Sequence, residues 1–173
     1  MIIAIPKEIY FNEKRVAAIP ATVKNFIKEG LEVWIESDAG KKSFYPDKDY
    51  SESGAHITPD SKKLCEISDI LIKVNPPTIE EAQLLNEGTY FVSLFQTMKE
   101  KEIIDIFLQK KITAFSMHLI PRTTLAQKMD ALSSQSNIAG YLAVLMGAAH
   151  LPVYMPLLMT AAGTIPPAKV LIL

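Results

Sequence analysis

The sequence predicts a doubly wound α/β fold, in which a mostly parallel sheet has helices on both faces, as in Rossmann-like domains. Short apolar runs alternate with segments of helical periodicity along the chain. The runs at 69–74 (DILIKV) and 89–95 (TYFVSLF) have the composition of buried strands. Strands separated by helices of ordinary length form βαβ units, so we expect the sheet to be parallel.

Local signals place the individual elements. Pro20 suits the first turn of a helix that Gly30 ends. Thr78 and Glu81 have the spacing of a capping box. The expected strands cover 2–5, 31–36, 56–58, 69–74, 89–95 and 113–119, and the expected helices cover 20–29, 48–52, 62–67, 78–85, 99–110 and 137–150.

The composition excludes several classes of function. The net charge of the 173 residues is −1, so no basic surface for nucleic acid is expected. The most apolar region, 138–173, is broken by prolines and by Gly163, so it is not expected to span a membrane. The histidines are scattered without the spacing of metal ligands, so no metal site is expected. Cys65 is the single cysteine, which excludes an internal disulfide.

The stretch 121–140 (PRTTLAQKMDALSSQSNIAG) is the strongest candidate for a functional site. Its charged, amide and hydroxyl side chains offer more hydrogen bonds than a plain connector needs. The residues alone leave two interpretations open. Arg122 and Asp130 can form an ion pair that only stabilises a loop, while Ser133 and its neighbours cap a helix beginning at Asn137. Alternatively, the same groups bind a ligand.

Five stretches of the chain together resemble one family. They are IPKE at 5–8, N-E-x-R-V at 12–16, I-L-x-K-V at 70–74, P-R…Q-x-x-D-x-L-S-S-Q-S-N at 121–137 and T-A-A-G-T-I-P-P-A-K-V at 160–170. In this order they look like the N-terminal domains of alanine dehydrogenases and pyridine nucleotide transhydrogenases, and they cover essentially the whole chain. The likeness to the alpha subunit of proton-translocating NAD(P) transhydrogenases is the closer one.

The resemblance implies a role for four residues. In transhydrogenases, the loop similar to 121–137 lies over the nicotinamide of NAD(H), and Arg122, Gln127, Asp130 and Ser133 match residues of that loop. We therefore expect these four side chains to bind and orient the cofactor. Hydride transfer from NADH to NADP⁺ needs no acid, base or nucleophile, so no catalytic residue is expected. The NADP(H) would be bound by a partner component.

Arg15 and Lys73 are weaker candidates for lining the site. They resemble two residues that hold the carboxylate and carbonyl of the substrate in alanine dehydrogenases, so the resemblance implies that they line the site. On the residues alone, Arg15 can equally be a solvated charge. Lys73, in a buried strand, must reach either the ligand crevice or a carboxylate such as Glu8. The histidine that alanine dehydrogenases place after the strand similar to 89–95 is absent from FVSLFQTMKE, which disfavours their chemistry.

The resemblance also implies how the chain is organised. We expect an N-terminal α/β domain at 1–136 and an interdomain helix and hinge at 137–163. Residues 164–173 are expected to be the first strand of a dinucleotide-binding domain that the sequence otherwise lacks, since no glycine-rich turn follows them.

The expected partners follow from the same resemblance. They are a second copy of the chain in a homodimer, the missing NAD-binding domain, and the NADP(H)-binding and membrane components of a transhydrogenase. The location implied is cytoplasmic, at the inner membrane through partner subunits. Two other functions stay open: an amino-acid dehydrogenase of the alanine type and, for this fragment alone, a non-catalytic dimerisation module.

Overall fold

The computed structural model describes residues 1–121, 123–126 and 129–148. The chain divides into two compact units, of which the first is Met1–Leu119 and the second begins at Ile120. The division of the chain into 1–136, 137–163 and 164–173 stays a prediction.

Strands and helices alternate through the first unit. They are β1 (Ile2–Ile5), α1 (Pro20–Lys28), β2 (Glu32–Glu36), α2 (Asp47–Glu52), β3 (His56–Thr58), α3 (Ser61–Ile67), β4 (Ile70–Ile72), α4 (Ile79–Leu84), β5 (Tyr90–Ser93), α5 (Lys101–Gln109) and β6 (Thr113–Ser116). Single turns of 3₁₀-helix cover Lys41–Ser43 and Met117–Leu119. In the second unit, α6 covers Ala131–Ala148.

The sheet has six strands in the order β3-β2-β1-β4-β5-β6, and every pair of neighbours is parallel. The predicted doubly wound, Rossmann-like fold is therefore confirmed. The strand order reverses between β1 and β4, which are paired at Ile3–Ile70 and Ala4–Leu71. A crevice for ligands forms at such a switch point, outside the carboxyl ends of the strands.

The local signals act as the sequence predicts. Pro20 occupies the first turn of α1, and Gly30 ends the helix at φ +81°, a value that glycine adopts without strain. The Leu31 N–H donates to the Phe26 carbonyl at 3.1 Å, which closes the helix end. Thr78 caps α4, with the capping box complete.

Several boundaries differ from the prediction by two residues or more. β4 ends at Ile72 and β5 at Ser93, each two residues early, and α5 begins at Lys101. β6 ends at Ser116, because the chain turns into a 3₁₀-helix there. The helix expected at 137–150 begins at Ala131. The serines at 133 and 136 therefore lie inside α6 and do not cap it. Among the described helices, α6 included, none is long and apolar enough to cross a membrane.

The core on the side of α3, α4 and α5 is built around three aromatic rings. The Phe91 ring centroid lies 5.2 Å from that of Phe107 and 6.1 Å from that of Phe95. Aliphatic and small side chains complete the cluster: Ala4, Leu64, Cys65, Leu71, Ala82, Leu85 and Ile103. This packing fixes α4 against the end of β4, beside the crevice.

On the other side of the sheet, the packing around Tyr50 is tight enough to test. The Tyr50 hydroxyl donates to the Ala18 carbonyl at 2.9 Å, and the ring lies against Gly40. A Cβ at Gly40 would lie 2.5 Å from the Tyr50 ring and 2.8 Å from the Tyr45 carbonyl oxygen. Gly40→Ala should therefore lower the free energy of unfolding by about 1–3 kcal/mol in urea denaturation.

The matched control is Gly140→Ala in α6. A Cβ at Gly140 meets nothing within 4 Å, so the change should be neutral or stabilising by up to about 1 kcal/mol. If Gly40→Ala unfolded at the same urea concentration as the unsubstituted chain, the tight packing around Tyr50 would be contradicted.

Candidate functional site

A cluster of polar side chains lies at the carboxyl ends of β1 and β4. Two elements supply it: the β1–α1 loop (residues 6–19) and the segment from the end of β4 into α4. We call it the switch-point cluster, and its members are Glu8, Glu13, Arg15, Lys73, Asn75 and Glu81. The two site-lining candidates, Arg15 and Lys73, both belong to it.

Lys73 is the most deeply buried charge of the cluster. Its side chain is 0% exposed, and its ammonium donates to both Glu81 carboxylate oxygens at 2.7 Å. Burying an ammonium without a partner would be costly, and the attraction to Glu81 offsets part of that cost. The backbone of Lys73 continues the β4–β5 pairing, since its N–H donates to the Val92 carbonyl at 3.0 Å. Lys73 is therefore held both at its backbone and at its ammonium group.

Glu81 has a second task at the start of α4. One of its oxygens accepts the Thr78 N–H at 2.8 Å, while the Thr78 hydroxyl accepts the Glu81 N–H at 3.1 Å. The capping box therefore holds the carboxylate in place above the end of β4. The sequence predicted this capping box but suggested Glu8 as the partner of Lys73. The partner is Glu81, because the hydrogen bonds of Glu8 go elsewhere.

Glu8 binds the backbone and an amide. One oxygen accepts the Val74 N–H at 2.6 Å, and the other accepts from the Asn75 Nδ2 at 3.1 Å. The residue is 4% exposed. Burial raises the pKa of Glu8 above its usual value, and these hydrogen bonds together with the Lys73 charge oppose that rise. Glu8 thereby joins the end of β1 to the end of β4.

Glu13 is the partner of Arg15. Its carboxylate accepts the Arg15 Nε at 2.8 Å, the Arg15 Nη2 at 2.6 Å and the Arg15 backbone N–H at 2.9 Å, and it also accepts from Asn75 Nδ2 at 2.9 Å. Burial by itself raises the pKa of Glu13, but the bonds from Arg15 and Asn75 outweigh it and lower the pKa to about 2. Arg15 is thus ion-paired and is not a free solvated charge.

Asp130 and Ser133 form a separate pair in the second unit. The Ser133 hydroxyl donates to Asp130 Oδ2 at 2.6 Å, and the same oxygen accepts the Ser133 N–H at 3.3 Å. Asp130 is 8% exposed and precedes the first residue of α6. Its carboxylate therefore meets the N–H of the first turn, as a helix cap does. Arg122 and Gln127 lie outside the described residues.

This geometry limits the chemistry of the Ser133 hydroxyl. Because its hydrogen is donated to Asp130, the oxygen keeps its lone pairs and can accept an N–H from a ligand.

In the described parts of the chain, no group of three or more His, Cys, Asp or Glu side chains could hold a metal ion. The Cys65 thiol is buried in the core, and burial raises its pKa to about 11, so it is a poor nucleophile.

Sequence reasoning did not assign Glu13, Asn75 or Glu81 to the site. Glu13 lies two residues before Arg15, so a local ion pair could have been considered. Glu81 was recognised as a capping residue, and its contact with Lys73 depends on how α4 packs on the sheet. Nothing in the sequence signals the bridging role of Asn75.

Comparison with known proteins assigns the family. The family model described as alanine dehydrogenase/PNT, N-terminal domain, matches residues 4–139. The chain belongs to this family. Its match includes both the switch-point cluster and the Asp130–Ser133 pair.

Three relatives show where the chain stands in the family. The NAD(P) transhydrogenase subunit alpha of Haemophilus influenzae is 42% identical over 173 residues, which are 100% of this chain and 33% of that protein. The alanine dehydrogenase of Methanococcus maripaludis is 33% identical over 151 residues, 87% of this chain and 40% of that protein. A crystal structure of transhydrogenase from Sinorhizobium meliloti matches with a TM-score of 0.78 and 35% identity, over 86% of this chain and 44% of that one.

The chain thus spans between a third and a half of the length of these relatives. Its likeness to them concerns this part of each protein. The transhydrogenase relatives are named as one subunit of an enzyme, so proteins of that kind assemble from several components.

The Lys73–Glu81 ion pair gives a stability prediction. Glu81→Gln leaves a buried ammonium without its counter-charge, so the free energy of unfolding should fall by about 3 kcal/mol in urea denaturation. The control is Glu66→Gln, since Glu66 is exposed on α3 and the change should have little effect. Equal stability of the two variants would contradict the ion pair.

The Glu13–Arg15 pair gives a pH prediction. The pKa of Glu13 falls from 4.5 to about 2 on folding, so the pair stabilises the fold fully above pH 4.5. This stabilisation should be lost as the pH drops from 4.5 to about 2. The difference in unfolding free energy between the unsubstituted chain and Glu13→Gln should shrink over this range. Glu52→Gln, at an exposed carboxylate, gives the background, and a constant difference would contradict the pair.

Proposed function

We propose that the chain is the N-terminal part of the NAD(H)-binding component of a proton-translocating NAD(P) transhydrogenase. The observation that carries the proposal is the extent of the likeness. Identity to the alpha subunit from Haemophilus influenzae is 42% across the entire chain, whereas identity to the alanine dehydrogenase is 33% across 87% of it. The complete protein would pass a hydride from NADH to NADP⁺ held by a partner component.

The task of this chain would be to place the cofactor. A bound nicotinamide dinucleotide supplies the hydride, so the protein needs to orient the ring and to exclude water. Arg122, Gln127, Asp130 and Ser133 are the residues we assign to this task. No side chain need act as acid, base or nucleophile.

Asp130 and Ser133, the two residues of this set that the structure describes, have hydrogen bonds that suit the binding of a carboxamide. The Ser133 oxygen can accept an amide N–H, because its own hydrogen is directed to Asp130. The Asp130 carboxylate holds the Ser133 side chain and the start of α6 together. A neutral acceptor on a rigid helix is suited to fixing the plane of a nicotinamide ring.

The remaining parts of the proposal concern assembly. We propose that residues 137–163 connect the first domain to an NAD-binding domain, whose first strand is 164–173. The complete component would form a homodimer and bind the NADP(H)-binding and membrane components, which would hold it at the cytoplasmic side of the inner membrane. The name of the relatives, subunit alpha, supports the existence of partner components.

An alanine dehydrogenase-like function is the second candidate. It is favoured by the position of Arg15 and Lys73, which share one cluster at the ligand edge of the sheet. However, a substrate carboxylate would have to compete with Glu13 and Glu81 for these cations. The region FVSLFQTMKE, in and after β5, also has no histidine, although alanine dehydrogenases carry one just after the matching strand. Oxidation of NADH that depends on pyruvate and ammonia would establish this alternative.

Transhydrogenation by the complete component with its NADP(H)-binding partner tests the leading proposal. The unsubstituted protein should reduce an NADP⁺ analogue with NADH and should not respond to pyruvate and ammonia. Ser133→Ala should slow hydride transfer about tenfold or more, because the ring loses one orienting hydrogen bond. Rapid mixing under single-turnover conditions measures this step.

Ser136→Ala is the matched control for this experiment. Ser136 is exposed on the same helix, so its loss should leave the rate of hydride transfer unchanged. If both serine variants transferred hydride at the unsubstituted rate, the role assigned to Ser133 would be wrong. If the complete protein did not reduce the NADP⁺ analogue at all, the transhydrogenase proposal would fail.

A further inference from the structure

The β1–α1 loop (residues 6–19) carries Arg15 across the carboxyl edge of the sheet and presents apolar side chains to solvent. Ile9 is 59% exposed and Phe11 is 93% exposed. The loop has no regular secondary structure. Its end at residues 16–18 is buried, and hydrogen bonds to neighbouring segments hold the part before it. On one side, the Lys7 N–H donates to Glu36 at 2.8 Å, and the Ser43 hydroxyl donates to the Lys14 carbonyl at 2.5 Å.

On the other side, the loop is held by the Val74 N–H, which donates to Glu8 at 2.6 Å, and by the side-chain amide of Asn75. The Asn75 Nδ2 donates to Glu8 Oε2 at 3.1 Å and to Glu13 Oε2 at 2.9 Å. An amide nitrogen has two hydrogens, and here each goes to a different carboxylate of the same loop. Within the described part of the chain, Asn75 is the one side chain hydrogen-bonded to both carboxylates.

The charges around Asn75 make this arrangement dependent on a neutral donor. Glu8 and Glu13 are both largely buried, and without donors between them two carboxylates at this separation repel. Lys73 hydrogen-bonds to Glu81, whereas Arg15 hydrogen-bonds to Glu13. Neither cation therefore hydrogen-bonds to both Glu8 and Glu13.

We infer that Asn75 is the positioning residue of the ligand edge. Its amide sets the separation of Glu8 and Glu13, and through Glu13 it sets where the Arg15 guanidinium and backbone lie. The chain of contacts runs from the Val74 N–H through Glu8, Asn75 and Glu13 to Arg15. The end of β4 is therefore coupled to the β1–α1 loop at Glu8 by both Val74 and Asn75, and the Asn75 amide extends this coupling to Glu13.

This inference does not rest on the proposed function. It concerns the ligand-free protein, so it can be tested without nucleotide, and its failure would leave the transhydrogenase proposal unaffected. The Arg15 backbone N–H is a direct reporter, because it donates to Glu13 at 2.9 Å. The Leu64 N–H, bonded to the carbonyl of Asp60 at the start of α3 at 3.2 Å, is the reference amide, because it lies on a helix that contributes no residue to the cluster.

The experiment is amide hydrogen exchange of the full chain near pH 7, read residue by residue. Asn75→Asp has the same shape, removes both donors and adds a third carboxylate. It should speed exchange of the Arg15 amide about tenfold or more and leave the Leu64 amide unchanged. Asn75→Ala, which removes the donors without adding a charge, should speed Arg15 exchange to a smaller extent.

Asn75→Ala also keeps the inference testable if Asn75→Asp fails to fold, because it removes the two donors without placing a third carboxylate against Glu8 and Glu13.

Two results would overturn the inference. The first is unchanged Arg15 exchange in Asn75→Asp or, if that variant does not fold, in Asn75→Ala. The second is an equal acceleration at Leu64, which would mean general destabilisation.

Discussion

The Lys73 ammonium lies at the carboxyl end of β4, in the centre of the sheet, with no exposed surface of its own. Such a charge requires a partner of opposite sign with fixed geometry, since an unpaired ammonium in this position would oppose folding. Glu81 meets the requirement because the capping box of α4 has already fixed its carboxylate. Packing of α4 on the aromatic core then brings the two charges together. The burial of the Lys73 charge thus depends on both the capping of α4 and its packing on the core.

The remaining polar groups at this edge are arranged around that pair. Because Lys73 is occupied by Glu81, the Glu8 carboxylate is available to the Val74 backbone and to Asn75. Asn75 in turn reaches the loop that carries Arg15. The switch point of the sheet therefore presents a satisfied hydrogen-bond network. Any anionic ligand that approaches Arg15 or Lys73 must compete with carboxylates already bound there.

The sequence was sufficient for the fold because its signals are local. The proline of α1, the glycine after it and the capping box of α4 each act within a few residues, and the apolar runs identify the strands. The site was predicted less completely, because its partners meet through tertiary packing. Burial of Lys73 implied either the ligand crevice or a carboxylate such as Glu8, whereas its contact with Glu81 depends on how α4 packs on the sheet. The early start of α6 was missed because polar residues near Ser133 are typical of loops as well as of a first helical turn.

The most direct measurement of the central claim is a pair of double-mutant cycles on unfolding free energy. One cycle combines Lys73→Met with Glu81→Leu, and the other combines Lys73→Met with Glu8→Leu. A dominant Lys73–Glu81 pair predicts a coupling of about 2–3 kcal/mol in the first cycle and a clearly smaller one in the second. A coupling below about 0.5 kcal/mol with Glu81, or a larger one with Glu8, would contradict the account.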